Sequence, residues 1–337
     1  MRTVALITAL FVISFFAMCG RYSGPVEEVY FLMDTMARIS IYDTDITKSA
    51  IQDAASYAVE EMKRVEQLLS VHIDSSEAAK INRNAGKKAL MISKDIECVI
   101  EESMKISETS SGAFDITIGP LKKLWNFESN TPTVPDSESI CSVLKTIGYG
   151  RLKISDGKIF LQDAGMEIDL GGIAKGYIID SGIRALKRKG IKSAIIEAGG
   201  DLRILGKKPD KGFWRIGIRH PRGERNDLIG ILRLEGGSSV ATSGDYERYF
   251  FKDRIRYHHI LNPRTGYPAR GCISVTIVAD NCMVADGYAT AVFVLGPKKG
   301  MELIENVDSI EGVIIYEKDE ELEFLASDGI KDKIDIK

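Results

Sequence analysis

The sequence predicts an α+β fold, a single domain with largely antiparallel sheets flanked by helices. Three observations carry this. Two amphipathic helical segments occupy residues 46–69 and the stretch from Ser93 to Gly112. Short β-rich runs separated by turn residues dominate after residue 193. No internal repeat or low-complexity linker divides the chain beyond its N-terminal stretch. Strands, then helices, then many strands is the order of a segregated α+β protein, not of alternating βαβ units.

Residues 29–42 are rich in β-branched and aromatic side chains around Met33, Asp34 and Thr35, which predicts two strand segments. Over 46–69, Ile51, Ala55, Ala58, Met62, Val65 and Leu69 recur at three-four spacing and define one buried helix face. Ser93 is a good N-cap for a second helix carrying Ile96, Val99, Ile100 and Ile106 inward. Residues 135–147 predict another helix, followed by a hairpin that turns at Asp156 and Gly157. Residues 166–170 read as a strand meeting Gly171 and Gly172, and 173–189 as the next helix. β-like runs follow at 194–197, 214–219, 228–234, 257–261 and 274–279. Helices at 284–295 and 299–306 precede closing strands at 313–316 and 322–325.

Composition is that of an ordinary globular protein, 44% apolar and 28% charged. A net charge of −3 lacks the basic footprint that phosphate-backbone binding demands, so nucleic acid is not an expected partner. The N-terminus is different material. After Met1 and Arg2 an apolar run covers residues 4–18, interrupted only by Thr8 and Ser14. It falls short of the roughly 20 residues that span a bilayer and suits the apolar region of a signal peptide, with a retained short anchor as the competing reading. The order Phe16, Ala17, Met18, Cys19, Gly20 resembles a bacterial lipoprotein cleavage site, with Met18 standing where Gly or Ala is usual. The expected layout is a signal peptide at 1–18, a lipidated tether at 19–28 beginning with acylated Cys19, and the folded domain at 29–337. Cys98, Cys141, Cys272 and Cys282 show no CxxC spacing and the chain has 4 histidines, so zinc and iron–sulfur sites have little support. Buried free thiols are expected.

Four clusters offer chemistry. Asp286 and Thr290 lie four apart on a predicted helix and share a face, a hard-oxygen pair suited to Mg²⁺. Alone, the pair is weak evidence, since an Asp and a Thr at this spacing are more often surface residues. The run Asp169, Leu170, Gly171, Gly172, Ile173, Ala174, Lys175, Gly176 puts glycines and a lysine at a helix start, where backbone groups approach phosphate. It does not match the GxxxxGK[ST] loop, and a tight packing turn explains it as well. Ala113, Phe114 and Asp115 begin a third run, through Gly119, Pro120 and Leu121 to a helix holding Trp125; an aromatic beside an acid suits a ring and a ribose, or simply a core strand. The fourth joins Thr242, Ser243, Gly244, Asp245, Tyr246, Glu247 and Arg248 to His258, His259, Ile260, Leu261, Asn262 and Pro263. Adjacent histidines on a strand face opposite ways, so at most one faces a site.

These clusters, with Met33-Asp34-Thr35 before them and Gly199-Gly200-Asp201 between, occur in the order that resembles the ApbE flavin transferase family over about residues 33–296. The family's M-G-T, A-F-D-x-T-x-G-P-L, D-L-G-G-I-A-K-G-Y, G-G-D, T-S-G-D-Y-E, H-H-I and A-D-x-x-A-T patterns are all represented. The resemblance implies a single ApbE-like domain in which Asp286 and Thr290 hold Mg²⁺ with the Gly172 carbonyl. It implies that Met33, Ala113, Phe114, Asp115, Asp169, Lys175 and Ile260 line an FAD site, with His72 near the adenine, and that His259 serves proton transfer or phosphate positioning. Asp34 in place of Gly, Asn262 in place of Asp, and Glu197 in place of Asn depart from the pattern without removing a metal ligand.

The implied activity is Mg²⁺-dependent transfer of FMN from FAD to a Thr or Ser hydroxyl of another protein, with release of AMP and with Lys175 adding electrostatic stabilisation. The implied acceptors are flavoprotein subunits of membrane redox complexes, reached by an exported lipoprotein facing the periplasm. Two alternatives use the same residues: an FAD pyrophosphatase giving FMN and AMP, and a non-catalytic FAD-binding lipoprotein.

Overall fold

The computed structural model describes residues 25–210, 212–224 and 226–336; the expected signal peptide and Cys19 lie outside the described residues. In chain order the elements are β1 (Val26–Leu32), β2 (Thr35–Ile41), α1 (Lys48–Leu69), α2 (Glu77–Arg83), β3 (Leu90–Met91), α3 (Lys94–Thr109), α4 (Gly119–Trp125), α5 (Ser137–Leu144), β4 (Leu152–Ser155), β5 (Lys158–Leu161), α6 (Ala174–Arg188), β6 (Ala194–Ala198) and β7 (Asp201–Leu205). There follow β8 (Trp214–Arg219), β9 (Leu228–Leu234), β10 (Ser239–Gly244), β11 (Tyr249–Lys252), β12 (Ile255–His258), β13 (Cys272–Ala279), α7 (Cys282–Leu295), α8 (Pro297–Glu305), β14 (Ile310–Lys318), β15 (Glu321–Ala326) and β16 (Ile334–Ile336).

An eight-stranded sheet in the order β1-β2-β6-β7-β10-β13-β14-β15 forms the middle layer, and its paired neighbours are antiparallel throughout. One face is covered by α1, α6 and α7, which bury Met62, Val65, Ile179, Ile183 and Phe293 with Ile39, Ile196 and Ile277 of the sheet. The other face carries the small sheet β16-β9-β8, whose Trp214 and Leu232 join Leu202, Ile204 and Ile315. Alternation along each strand feeds the two cores in turn. The fold is the α+β arrangement the sequence predicts, with antiparallel sheets flanked by helices.

Local chemistry accounts for the helix starts. Thr47, Ser93 and Asn281 each accept a backbone N–H from the first turn of α1, α3 and α7. Helix α7 is apolar nearly all round because it lies between the sheet and α6, with α3 also against it. Against that background its Asp286, 6% exposed, stands out. Among the described residues no helix is long and apolar enough to cross a membrane.

Several local expectations are corrected. Residues 166–170 form no ladder strand: one edge makes only an isolated parallel bridge, Glu167 with Ile118, and on the other the Asn82 amide takes both the N–H and the C=O of Ile168 in place of a strand. The strand expected at 257–261 ends at His258, because the chain then turns and the Ala269 N–H returns to the Ile260 carbonyl. Cys272 and Cys282 are buried free thiols as expected, whereas Cys98 and Cys141 are free and exposed. Val26, inside the span read as tether, already opens β1.

Candidate active site

The site forms where α6 and α7 meet at one end of the main sheet. Gly176, in the first turn of α6, lies directly against the start of α7: an added β-carbon would come within 2.2 Å of the Cys282 carbonyl oxygen. That approach lets the Gly176 N–H bond to Asp286 Oδ2 at 3.0 Å. One turn on, Thr290 reaches Gly172, where an added β-carbon would lie 3.2 Å from Thr290 Oγ1 and 3.3 Å from the Phe114 ring. Ser243, at the end of β10, completes this side with its hydroxyl 3.4 Å from Thr290 Oγ1. Asp286, Thr290, Gly172 and Phe114, separated by up to 176 positions in the chain, are therefore brought together.

Lys175 is mostly buried and pairs with Asp201 at 2.5 Å. Burial lowers its affinity for a proton, but Asp201 and then Asp286 more than reverse this, and the ammonium is held above its usual range. A second pair, Arg203 with Asp180, lies alongside, and Asp180 also accepts the Cys282 and Met283 N–H groups at 3.0 and 3.1 Å. With Lys175 committed to Asp201 and Arg203 to Asp180, Asp286 is the carboxylate left without a matched cation. Burial, and next the Asp201 charge, push it up to about 7.

The second wing holds the other half of the predicted set. Asp169 accepts the Gly171 N–H at 2.9 Å and pairs with Lys122 Nζ at 2.7 Å. Burial raises this carboxyl, and Lys122 outweighs it, so the net direction is downward. His72 is exposed on the α1–α2 connection and is the least of the groups that act on the Asp169 carboxyl. The histidines divide as the strand geometry predicts. His258 is buried, with Nε2 2.9 Å from the Ala269 carbonyl and Nδ1 accepting the Ile260 N–H at 3.3 Å; burial lowers it to about 4. His259 faces the other way: burial, then Lys122, His258 and Arg248, lower it to about 3, and its Nδ1 is buried without a partner among the described residues. Both rings are neutral at pH 7.

The remaining predicted residues lie in the surrounding structure. Asp115 accepts Thr117 N and Oγ1 at 2.8 and 2.6 Å and Tyr149 N at 2.9 Å, so its oxygens fasten a loop. Ala113 and Ile260 are buried. Met33 sits at the β1–β2 turn with φ +53°, its N–H on Glu66 Oε1 at 2.8 Å. This turn meets the site through Gly199, whose added β-carbon would lie 3.1 Å from Thr35 Oγ1, and on through Asp201 to Lys175.

Sequence reasoning assigned no role to Lys122, Asp180, Asp201 or Ser243. Asp201 and Ser243 stand inside recognised motifs and were legible as candidates. Lys122 resembles any surface lysine until folding sets it beside Asp169. An open groove of about 670 Å³ lined by Pro297, Met301, Tyr316 and Leu325 contains none of the site residues.

For a divalent cation, the nearby oxygens are the Asp286 carboxylate, the Thr290 and Ser243 hydroxyls and the adjacent Gly172 backbone; among the described residues no group of three or more His, Cys, Asp or Glu gathers. A single unmatched buried carboxylate beside hard neutral oxygens fits Mg²⁺, which takes one or two carboxylates and fills the rest of its shell with water and phosphate.

In architecture the chain falls in the class of the flavin transferase structures. It superposes on the ApbE protein of Thermotoga maritima with a TM-score of 0.82 at 36% identity, covering 90% of this chain and 97% of that one. On the flavin transferase ApbE of Vibrio cholerae the TM-score is 0.82 at 29% identity, covering 92% and 99%. The chain is 34% identical over 287 residues to an FAD:protein FMN transferase of Klebsiella pneumoniae, spanning 84% of this chain and 87% of the relative. Residues 33–314 match the sequence model of the ApbE family. The chain belongs to the ApbE family.

Proposed function

We propose that this protein is an exported, lipid-anchored enzyme that transfers FMN from FAD to a Thr or Ser hydroxyl of an acceptor flavoprotein and releases AMP. The observation that carries the reading is the junction of Asp286 and Thr290 with the Gly172 turn, where a buried carboxylate without a matched cation meets paired glycines at the start of a helix. Mg²⁺ held by Asp286, Thr290 and the Gly172 carbonyl would neutralise pyrophosphate charge as the bond breaks.

The chain's own residues do the rest. Lys175 contributes positive charge from a fixed position, since Asp201 holds it. Phe114 and Met33 supply apolar surface for flavin or adenine, and Lys122 and His72 bring positive or polar groups to the opposite wing. His259 is a weak base in this setting, so its role is to position: the unpartnered Nδ1 is the ring atom left for a phosphate oxygen. The acceptor oxygen bonds to the FMN phosphorus, the bond from that phosphorus to the AMP oxygen breaks, and the hydroxyl proton is released to solvent.

In the proposed layout residues 1–18 are removed, Cys19 carries the lipid, and the tether holds the domain on the periplasmic side near membrane redox complexes. Cys19→Ser is expected to release the protein from membranes; persistent association would point to an uncleaved helix. The activity is tested by mass spectrometry of the protein with FAD and Mg²⁺, with and without an acceptor fragment bearing Thr. An FMN-sized mass gain with AMP release supports transfer. Free FMN and AMP in the presence of acceptor would make it a pyrophosphatase, and intact bound FAD a binding protein.

A further inference from the structure

We propose that the free edge of β11 is the docking strand for the protein substrate, taking an extended, acid-bearing segment of the acceptor as a third strand beside Tyr249 and Phe251. The inference rests on the transfer reading above and names where its second substrate binds.

The register supplies the first argument. Strands β11 and β12 pair as Tyr249 with His258, Phe250 with Tyr257, Phe251 with Arg256 and Lys252 with Ile255. The His259 N–H donates to the Arg248 carbonyl at 3.0 Å, which makes Arg248 and His259 a hydrogen-bonded pair. Antiparallel pairs alternate, so Phe250/Tyr257 and Lys252/Ile255 are bonded and the N–H and C=O groups of Tyr249 and Phe251 point away from β12. On the far side of the hairpin the outward Arg256 carbonyl is taken by Arg270 at 2.8 Å. Among the described residues nothing takes the backbone groups of Tyr249 and Phe251. Two open residues at spacing i, i+2 are what an added strand requires.

The side chains agree. Tyr249 is 43% exposed and Phe251 59% exposed, on one face. Arg256 lies over both rings, at 4.2 and 5.2 Å from their centroids. The opposite face is fixed: Phe250 and Tyr257 stack at 5.4 Å, and Tyr257 stacks on buried Trp125 at 5.7 Å. The hairpin is thus a rigid platform presenting an aromatic strip outward. Its charge selects the occupant, because residues 248–256 hold Arg248, Lys252, Arg254 and Arg256 against Asp253 alone, in a chain of net charge −3. Arg248 pairs with Glu128 and Arg256 lies near Asp245, whereas Lys252 and Arg254 have no ion-pair partner among the described residues. A lipid surface offers no backbone groups to complete a strand edge; an acidic polypeptide satisfies edge, rings and cations together. The location suits delivery, since a segment following β11 past Tyr249 arrives at Arg248, directly across from His259, within about two strand spacings or ~10 Å.

The test uses the full chain, replacing the native copy in the source cells, with covalent flavin on the cells' own proteins read by in-gel fluorescence and FAD affinity read on the purified protein. Phe251→Pro removes an outward N–H that the hairpin does not use and blocks strand addition. Tyr249→Ser/Phe251→Ser keeps every backbone group and removes the aromatic strip. Both are expected to slow labelling at least tenfold with FAD affinity within twofold of wild type. If Phe251→Pro weakens FAD binding, the double serine variant decides. Labelling at the wild-type rate overturns the docking site, and loss of FAD affinity in both variants assigns the hairpin to the FAD site and overturns it too. A wild-type protein that labels nothing overturns the transfer reading itself.

Discussion

The Gly176 N–H meets Asp286 Oδ2 at 3.0 Å, and it does so because Gly176 has no side chain to hold α6 off α7. A β-carbon there would sit 2.2 Å from the Cys282 carbonyl oxygen, which is backbone and cannot swing aside. Gly176→Ala is therefore expected to push the two helices apart, costing about 1–3 kcal/mol of stability and most of the activity. Thermal melting with an FAD-turnover assay checks both; a protein of unchanged stability and rate would show that the helices slide freely.

Asp286 is costly to bury ionised, since Asp201 repels it and Lys175 is already paired. Asp286→Asn is expected to leave the metal-free protein as stable as wild type or more so, while abolishing turnover at every Mg²⁺ concentration. Melting in EDTA and a Mg²⁺ titration separate the two effects. Residual activity that rises with Mg²⁺ would move the metal elsewhere.

If His259 positions rather than transfers a proton, a side chain that hydrogen-bonds without titrating should substitute for it. His259→Gln is expected to keep the rate within about tenfold and preserve the pH profile, whereas a proton-transfer role would cost both variants about 10²–10⁴-fold. His259→Ala should fall well below His259→Gln. Equal, large losses in both would restore the proton-transfer role.

The two neutral histidines make the fold acid-sensitive. Their folded values, about 4 for His258 and about 3 for His259, lie below the ordinary 6.5. Between those values the unfolded chain binds more protons, so their stabilisation is intact above pH 6.5 and is lost as pH falls below it. Two such groups approach ~2.7 kcal/mol per pH unit between about pH 6 and 4. His258→Gln is expected to flatten roughly half of that slope in denaturant titrations at stepped pH; an unchanged slope would place the sensitivity in other groups.

The chemistry-bearing motifs were legible because each needs a residue type that announces itself: paired glycines at a helix start, an acid and a hydroxyl one turn apart in an apolar helix, two histidines in a row. The helices at α1, α3 and α7 were legible too, since caps and three-four periodicity are local properties. Asn82 shows the limit on the other side. Nothing near it in sequence says that its amide will replace a strand partner for Ile168, 86 positions away.

By itself the sequence determined the α+β class and the order of the motifs, because alternation and periodicity are written residue by residue. Only the tertiary structure decided the partners: Lys175 with Asp201, Lys122 with Asp169, Gly172 against Thr290. Charge pairing and close approach depend on distances across the fold, and these exist only once two helices and a sheet have packed.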